Sequence, residues 1–109
     1  LTHISMPLPA SVRQYANTAF MGHGIAFQPR YEVEHIATIH AMVQAGLGVA
    51  ALPELAAAFV AQEGVATRRL TGPDIQRPIG VVSRRHRSLS PAAQEMVRML
   101  RQETTALLP

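Results

Sequence analysis

Five histidines and seven acidic residues are the side chains here that might be expected to bind a metal or move a proton. Their spacing argues against both. His35 and His40 stand five residues apart, which on a helix turns them about 140° away from each other, so they cannot close on one ion. His3, His23 and His86 are isolated along the chain, and no cysteine is present, which removes thiolate ligands and disulfides and leaves the redox compartment undecided. Glu32 and Glu34 share a face by the two-residue period of a strand, but Glu34 stands at the start of the next helix, where its charge suits the helix N-terminus. No Gly-x-Ser-x-Gly turn or spaced Ser, His and acid set is found. Gly46-Leu47-Gly48 follows a helix and enters a strand. A phosphate loop does the reverse, leaving a strand and opening a helix whose N–H groups meet the anion. Neither catalysis, nor a metal, nor a cofactor is expected.

The elements that must position any site are clearest between Tyr31 and Glu54, which reads as strand, helix, strand. Ile36, Ile39, Val43 and Leu47 recur at three, four and four residues, one face of a 3.6-residue period that must be buried. Gly46 follows the last turn, where positive φ can end a helix. Val49-Ala50-Ala51-Leu52 has no polar residue, the pattern of a short strand covered on both faces, and Pro53 closes it and can open the next helix.

Around this unit the chain repeats the same alternation. Leu1 to Met6 reads as a strand stopped by Pro7-Leu8-Pro9. Ser11 with Gln14 fits a capping box opening a helix with Val12, Tyr15, Ala16 and Ala19 on its apolar stripe, which Gly22 or Gly24 ends. Ile25 to Val33 is the strand entering the central unit, with Pro29 confining its first part to an edge or bend. Glu54 to Gln62 makes a further helix, with Leu55, Ala58, Phe59 and Gln62 along a face, and Val65 to Leu70 a short strand. Thr71-Gly72-Pro73-Asp74 and Arg77-Pro78 are breaks, and the main boundary of the chain falls there. Ile79 to Ser83 is a strand, and Ser90-Pro91 places a Ser N-cap and a first-turn Pro ahead of a long helix with Ala93, Met96, Val97, Leu100, Thr104 and Leu107 on one face.

At 109 residues the chain holds one modest core, with no fixed-period repeat. It begins at Leu1 without a Met or a basic, apolar leader, and is expected to be cut from something longer. The longest apolar region, Val49 to Ala61, is interrupted by Pro53 and Glu54 and too short to span a bilayer. Net charge is +3, with eight arginines and four acids in residues 55–109 against two and three in residues 1–54. Arg68-Arg69 and Arg84-Arg85-His86-Arg87 sit beside expected strand ends and read as solvated charges; a nucleic-acid surface would be denser. The alternation implies an α/β layer with right-handed crossovers, in which ligands bind beyond the carboxyl ends of the strands. That directs attention to residues 7–11 and 34–36.

The stretch from Glu32 to Pro53, an extended segment, a helix ending in Val43-Gln44-Ala45-Gly46-Leu47-Gly48 and an apolar strand ending in Leu52-Pro53, resembles the effector-binding domain of LysR-type transcriptional regulators. Arg77-Pro78-Ile79-Gly80-Val81-Val82, Arg84-Arg85 and Leu89-Ser90-Pro91-Ala92-Ala93 resemble that family's closing strand and helix. The resemblance covers essentially the whole chain and is least diagnostic over its first thirty residues.

The resemblance implies a three-layer helix-sheet-helix α/β lobe of the type 2 periplasmic-binding-protein-like fold, incomplete in this chain. Residues 1–72 would form the second lobe, 73–78 the crossover or hinge, and 79–109 a strand and helix returning to the first lobe. It implies a small-molecule effector in an interlobe cleft, contacted by Glu34, His35 and Ile36 where the chain enters the central helix, and by Ser11 at the first helix. A carboxylate at Glu34 would repel an anionic effector. Self-association as a dimer or tetramer, DNA contact only through a helix-turn-helix domain absent from these residues, no membrane contact and a cytoplasmic location complete the expectation. A lobe of a transporter solute-binding protein shares the fold and is the alternative, with an α/β enzyme fragment behind it.

Overall fold

The computed structural model describes residues 1–61, 64–72 and 75–107, with Leu107 described by its backbone alone. The turn expected at Pro73-Asp74, Gln62 on the third helix and the side chain of Leu107 lie outside the described residues. The chain forms two compact units, Leu1–Arg77 and Pro78–Pro109.

The first unit runs β1 (Ile4–Ser5), α1 (Ser11–Met21), β2 (Tyr31–Glu32), α2 (Ile36–Gln44) and α3 (Glu54–Val60). β1 and β2 are parallel, with Ile4 opposite Tyr31 and Ser5 opposite Glu32. On the other edge of β1, His3 forms a parallel bridge to Val49. The backbone alternates its bonds between the two neighbours. Ile4 N–H donates to the Val49 carbonyl and Val49 N–H to that of Thr2, both at 2.9 Å, while Arg30 and Val33 donate to His3 and Ser5 at the same distance.

Alternation places His3 and Ile4 on opposite faces of this layer. Ile4 is 1% exposed and Ile39, on the α2 face expected to be buried, 0%. α2 packs against both β1 and α3. On the other face His3 meets Phe20 of α1 and Phe27 edge-on, each at 5.4 Å between ring centres, and those two rings stack at 4.6 Å. Burying each large apolar side chain stabilises the fold by roughly 1.5–3 kcal/mol.

α2 ends as expected: Ala45 caps it, and Gly46 takes φ 78°. Gly48 is required for a different reason. A Cβ there would stand 2.4 Å from the Thr2 carbonyl oxygen, the acceptor of the Val49 N–H. α3 opens with Pro53 as N-cap instead of first helical residue, its carbonyl accepting from Ala56 and Ala57.

Strands are shorter than their sequence patterns. The expected 1–6 and 25–33 contribute two residues each, and 49–52 a single bridge. Residues 65–70 and 79–83 form no ladder, and Ile79 and Val82 are 70% and 96% exposed. An apolar, β-branched run becomes a strand only beside an edge whose N–H and C=O groups it can meet, and among the described residues these two runs have none.

In the second unit α4 (Pro91–Leu107) begins as the sequence predicts, the Ala93 N–H donating to Ser90 Oγ at 3.2 Å and the Gln94 N–H to the Ser90 carbonyl at 2.9 Å. Arg98 pairs with Glu95 one turn back and donates to Gln102 at 2.8 Å. That guanidinium holds the Glu95 carboxyl below the usual carboxylate range and is itself raised in return. Met96, Met99 and Leu100 of this helix are about half exposed.

Among the described residues of the first unit, one charged side chain is buried. Arg13, 5% exposed, lies on the α1 face shared with Ala16 and Phe20. Its Nη1 donates to the Met6 carbonyl at 3.1 Å and to Glu32 Oε1 at 2.9 Å, and its Nε to Asn17 Oδ1 at 3.0 Å. The guanidinium also lies 5.3 Å from the Phe27 ring centre.

Two stability outcomes follow from this packing. Gly48→Ala and Gly46→Ala both destabilise, but by different routes. Gly46 has open space around it, so the alanine costs about 1 kcal/mol of backbone strain, whereas Gly48→Ala forces the 49-side pairing apart; urea melts showing the Gly46 variant as the weaker protein would reverse this account. Removing the guanidinium by Arg13→Ala costs on the order of 2–4 kcal/mol, more than Glu32→Ala. The Glu32 side chain is 47% exposed and can be hydrated when its partner is gone, and Arg13 keeps Met6 and Asn17 when Glu32 is gone. Equal losses in the two variants would mean that the pair, not the backbone contact, carries the effect.

Candidate functional site

Because β1 and β2 are parallel, the chain leaves both at the same edge of the layer, and both helices that follow begin there. Val33 still donates to Ser5, so Glu34 is the first residue free of the ladder. α2 opens two residues later. His35 is its N-cap, with φ −117° and ψ 132° and no side-chain cap bond, and its carbonyl accepts from Thr38 and Ile39 at 3.1 Å. Glu34 and His35 are exposed and Ile36 is partly buried.

Ser11 does not cap α1. The N-cap is Ala10, whose carbonyl accepts from Gln14, and Ser11 is the first helical residue. Its exposed hydroxyl instead accepts from Arg77 Nη2 at 3.0 Å, across 66 positions of sequence. The capping box fails because the helix begins one residue earlier than the Ser-x-x-Gln spacing requires.

Neither helix has an acidic residue in its first turn, and neither N-terminus is capped by a side chain. Each therefore presents N–H groups with no partner inside the helix and the positive end of its dipole toward one edge. The site residues expected from sequence fall into two places: Glu34, His35 and Ile36 at the start of α2, and Ser11 at the start of α1. No hydrogen bond joins the two among the described residues. Arg13 spans the gap, since its partners Met6 and Glu32 close β1 and β2. Arg13 and Arg77 are the residues that sequence reading missed. Arg13 lies three and seven positions before Ala16 and Phe20, a buried-face spacing that its charge concealed.

Two open clefts have none of Ser11, Glu34, His35 and Ile36 in their lining. One of about 410 Å³ is lined by Asn17, Met21 and residues 24–27, and one of about 200 Å³ by Phe20, His23, Ile25, Leu70 and Ile75 among others. Among the described residues no group of three or more His, Cys, Asp or Glu side chains is placed to hold a metal ion, and no helix is long and apolar enough to cross a membrane.

Comparison with known proteins gives the wider context. The chain is 39% identical over 70 residues, 64% of its length, to the uncharacterized HTH-type transcriptional regulator YbhD of Escherichia coli (strain K12). It is 33% identical over 96 residues, 88% of its length, to the uncharacterized HTH-type transcriptional regulator YfeR of Shigella flexneri. The matched stretches span 22% and 31% of those two proteins. No solved structure matches the chain significantly. The LysR substrate binding domain family matches residues 1–105, nearly the whole sequence, with its parallel layer and two helix starts at one edge, and the chain belongs to that family.

Proposed function

We propose that this chain is the ligand-sensing part of a LysR-type transcriptional regulator, taking a small molecule at the edge where α1 and α2 begin. Family membership over residues 1–105 carries the reading. The geometry supports it: two uncapped helix starts lie at the carboxyl edge of a parallel layer, the place where ligands enter α/β sheets. Glu34, His35, Ile36 and Ser11 are the residues proposed to contact the effector.

The finer architecture belongs to the same proposal. Residues 1–72 form the second lobe of a three-layer, type 2 periplasmic-binding-protein-like domain, residues 73–78 the hinge, and residues 79–109 a strand and helix that return to the first lobe. The division into compact units after Arg77 supports this boundary. The exposed apolar run at Ile79, Val81 and Val82 then finds its ladder in the first lobe, outside these 109 residues. DNA would be contacted by a helix-turn-helix outside them too, in a self-associated, cytoplasmic protein.

Thermal melts of the purified protein against a panel of neutral metabolites and organic acids test the sensing role. A ligand present at a hundred times its Kd adds about 2.7 kcal/mol, a rise of roughly 10 °C or more for a domain of this size. The rise shrinks in Ser11→Ala, and Glu34→Gln tightens binding of organic acids while leaving neutral ligands unchanged. A panel that shifts nothing, or a ligand whose affinity ignores both substitutions, rejects this site.

A further inference from the structure

The backbone approaching Arg77 is held to α1 at two places. Past the C-terminal end of the helix, His23 Nε2 lies 3.0 Å from the Gly72 carbonyl, which can only accept, so Nε2 carries the proton. At the first residue of the helix, Arg77 Nη2 donates to Ser11 Oγ at 3.0 Å. Ile75, between these points in sequence, lines the same cleft as Phe20 and His23. Arg77 is the last residue of the first compact unit, and Pro78 follows it. Proline fixes its own φ and disfavours helical conformations in the residue before it. Pro78 therefore narrows the backbone choices of Arg77, and the Arg77 side chain adds an anchor to the start of α1.

We propose that the Arg77–Ser11 hydrogen bond is a latch that couples ligand occupancy at the start of α1 to the point where the backbone leaves the first unit. The coupling rests on the reading of Ser11 as an effector contact. Its chemistry is that of a hydroxyl, which has one donor and two acceptor sites. Arg77 uses an acceptor site and leaves the O–H as donor. A ligand carboxylate accepting that O–H polarises the oxygen and strengthens its bond to the guanidinium, because hydrogen bonds in a chain reinforce one another. Ligand binding tightens the latch, and loss of the ligand loosens the exit.

Ser11 makes no cap bond, so its hydroxyl can be removed with α1 intact. Backbone order parameters from NMR relaxation at the Gln76 and Arg77 amides report the latch directly. In Ser11→Ala and in Arg77→Gln they fall from about 0.8 to below about 0.6, while helix content by circular dichroism is unchanged. Ser11→Thr, which keeps a hydroxyl, keeps the order. The double variant Ser11→Ala with Arg77→Gln is no more mobile than either single one, since both remove the same bond. Order unchanged in Ser11→Ala, or losses that add in the double variant, overturns the latch.

The coupling is read with inorganic phosphate and a series of simple mono- and dicarboxylates. An acid shown by melting to bind raises order at the two amides in the wild type and leaves Ser11→Ala unaffected. A bound acid that leaves the wild-type amides unchanged overturns the coupling. If no acid binds, the coupling fails, whereas the effector reading of Ser11 still stands or falls on the neutral ligands and the variants still decide whether the latch itself exists.

Discussion

The backbone from Thr2 to Ser5 is hydrogen-bonded along both of its edges, and the first unit is built outward from that constraint. One edge takes Val49 and the other the segment from Arg30 to Val33. Both pairings are parallel, and the crossovers that parallel strands need place helices over the faces of the layer. This is why Ile4 and Ser5 are both buried, and why α1 and α2 each contribute a packed residue over this short stretch, Phe20 against His3 on one face and Ile39 in the core on the other. The close approach that brings Val49 alongside leaves no room for a side chain at Gly48. Parallel pairing has a further consequence: the two strands end at one edge, and so the two following helices must begin there.

Arg13 is the costliest group in this arrangement. A buried guanidinium loses its hydration, and a paired carboxylate seldom repays that loss in full. Here the carboxylate is half in water, which weakens the pair further. What the guanidinium supplies is geometry, because its planar fork reaches a carbonyl just past β1, a carboxylate at the end of β2 and an amide one turn along its own helix. An apolar residue of the same volume would pack as well against Phe27 without tying α1 to the two strand ends, whose spacing the backbone ladder sets.

The helices were legible in the sequence because their signals are local. Ser90 and Pro91 open α4, and Gly46 follows the cap of α2, each through bonds or dihedrals within a few residues. Strands were legible only in part. Residues 79–83 have as strong an apolar, β-branched pattern as residues 49–52, yet only Val49 meets a neighbouring edge. A strand is a relation between two segments, and pattern describes one of them. The candidate site divides along the same line: the β2–α2 junction could be found from periodicity, whereas the partnership of Ser11 with Arg77 spans 66 positions that no local rule connects.

Charge is distributed unevenly along the shared edge. Each helix start contributes roughly half a positive charge. Arg13 is paired with Glu32, while Arg77 is bonded to the Ser11 hydroxyl and forms no ion pair among the described residues. Against these stands Glu34, exposed and two residues before α2. Among the described residues the α1 end is therefore positive and the α2 end negative, so the edge is polarised along its length. If Ser11 and Glu34 contact the effector as proposed, a ligand with an acidic group toward Ser11 and a neutral or donor group toward Glu34 would match that field at both ends. A second carboxylate toward Glu34 would meet a like charge, whereas a hydroxyl or amine there would meet an acceptor.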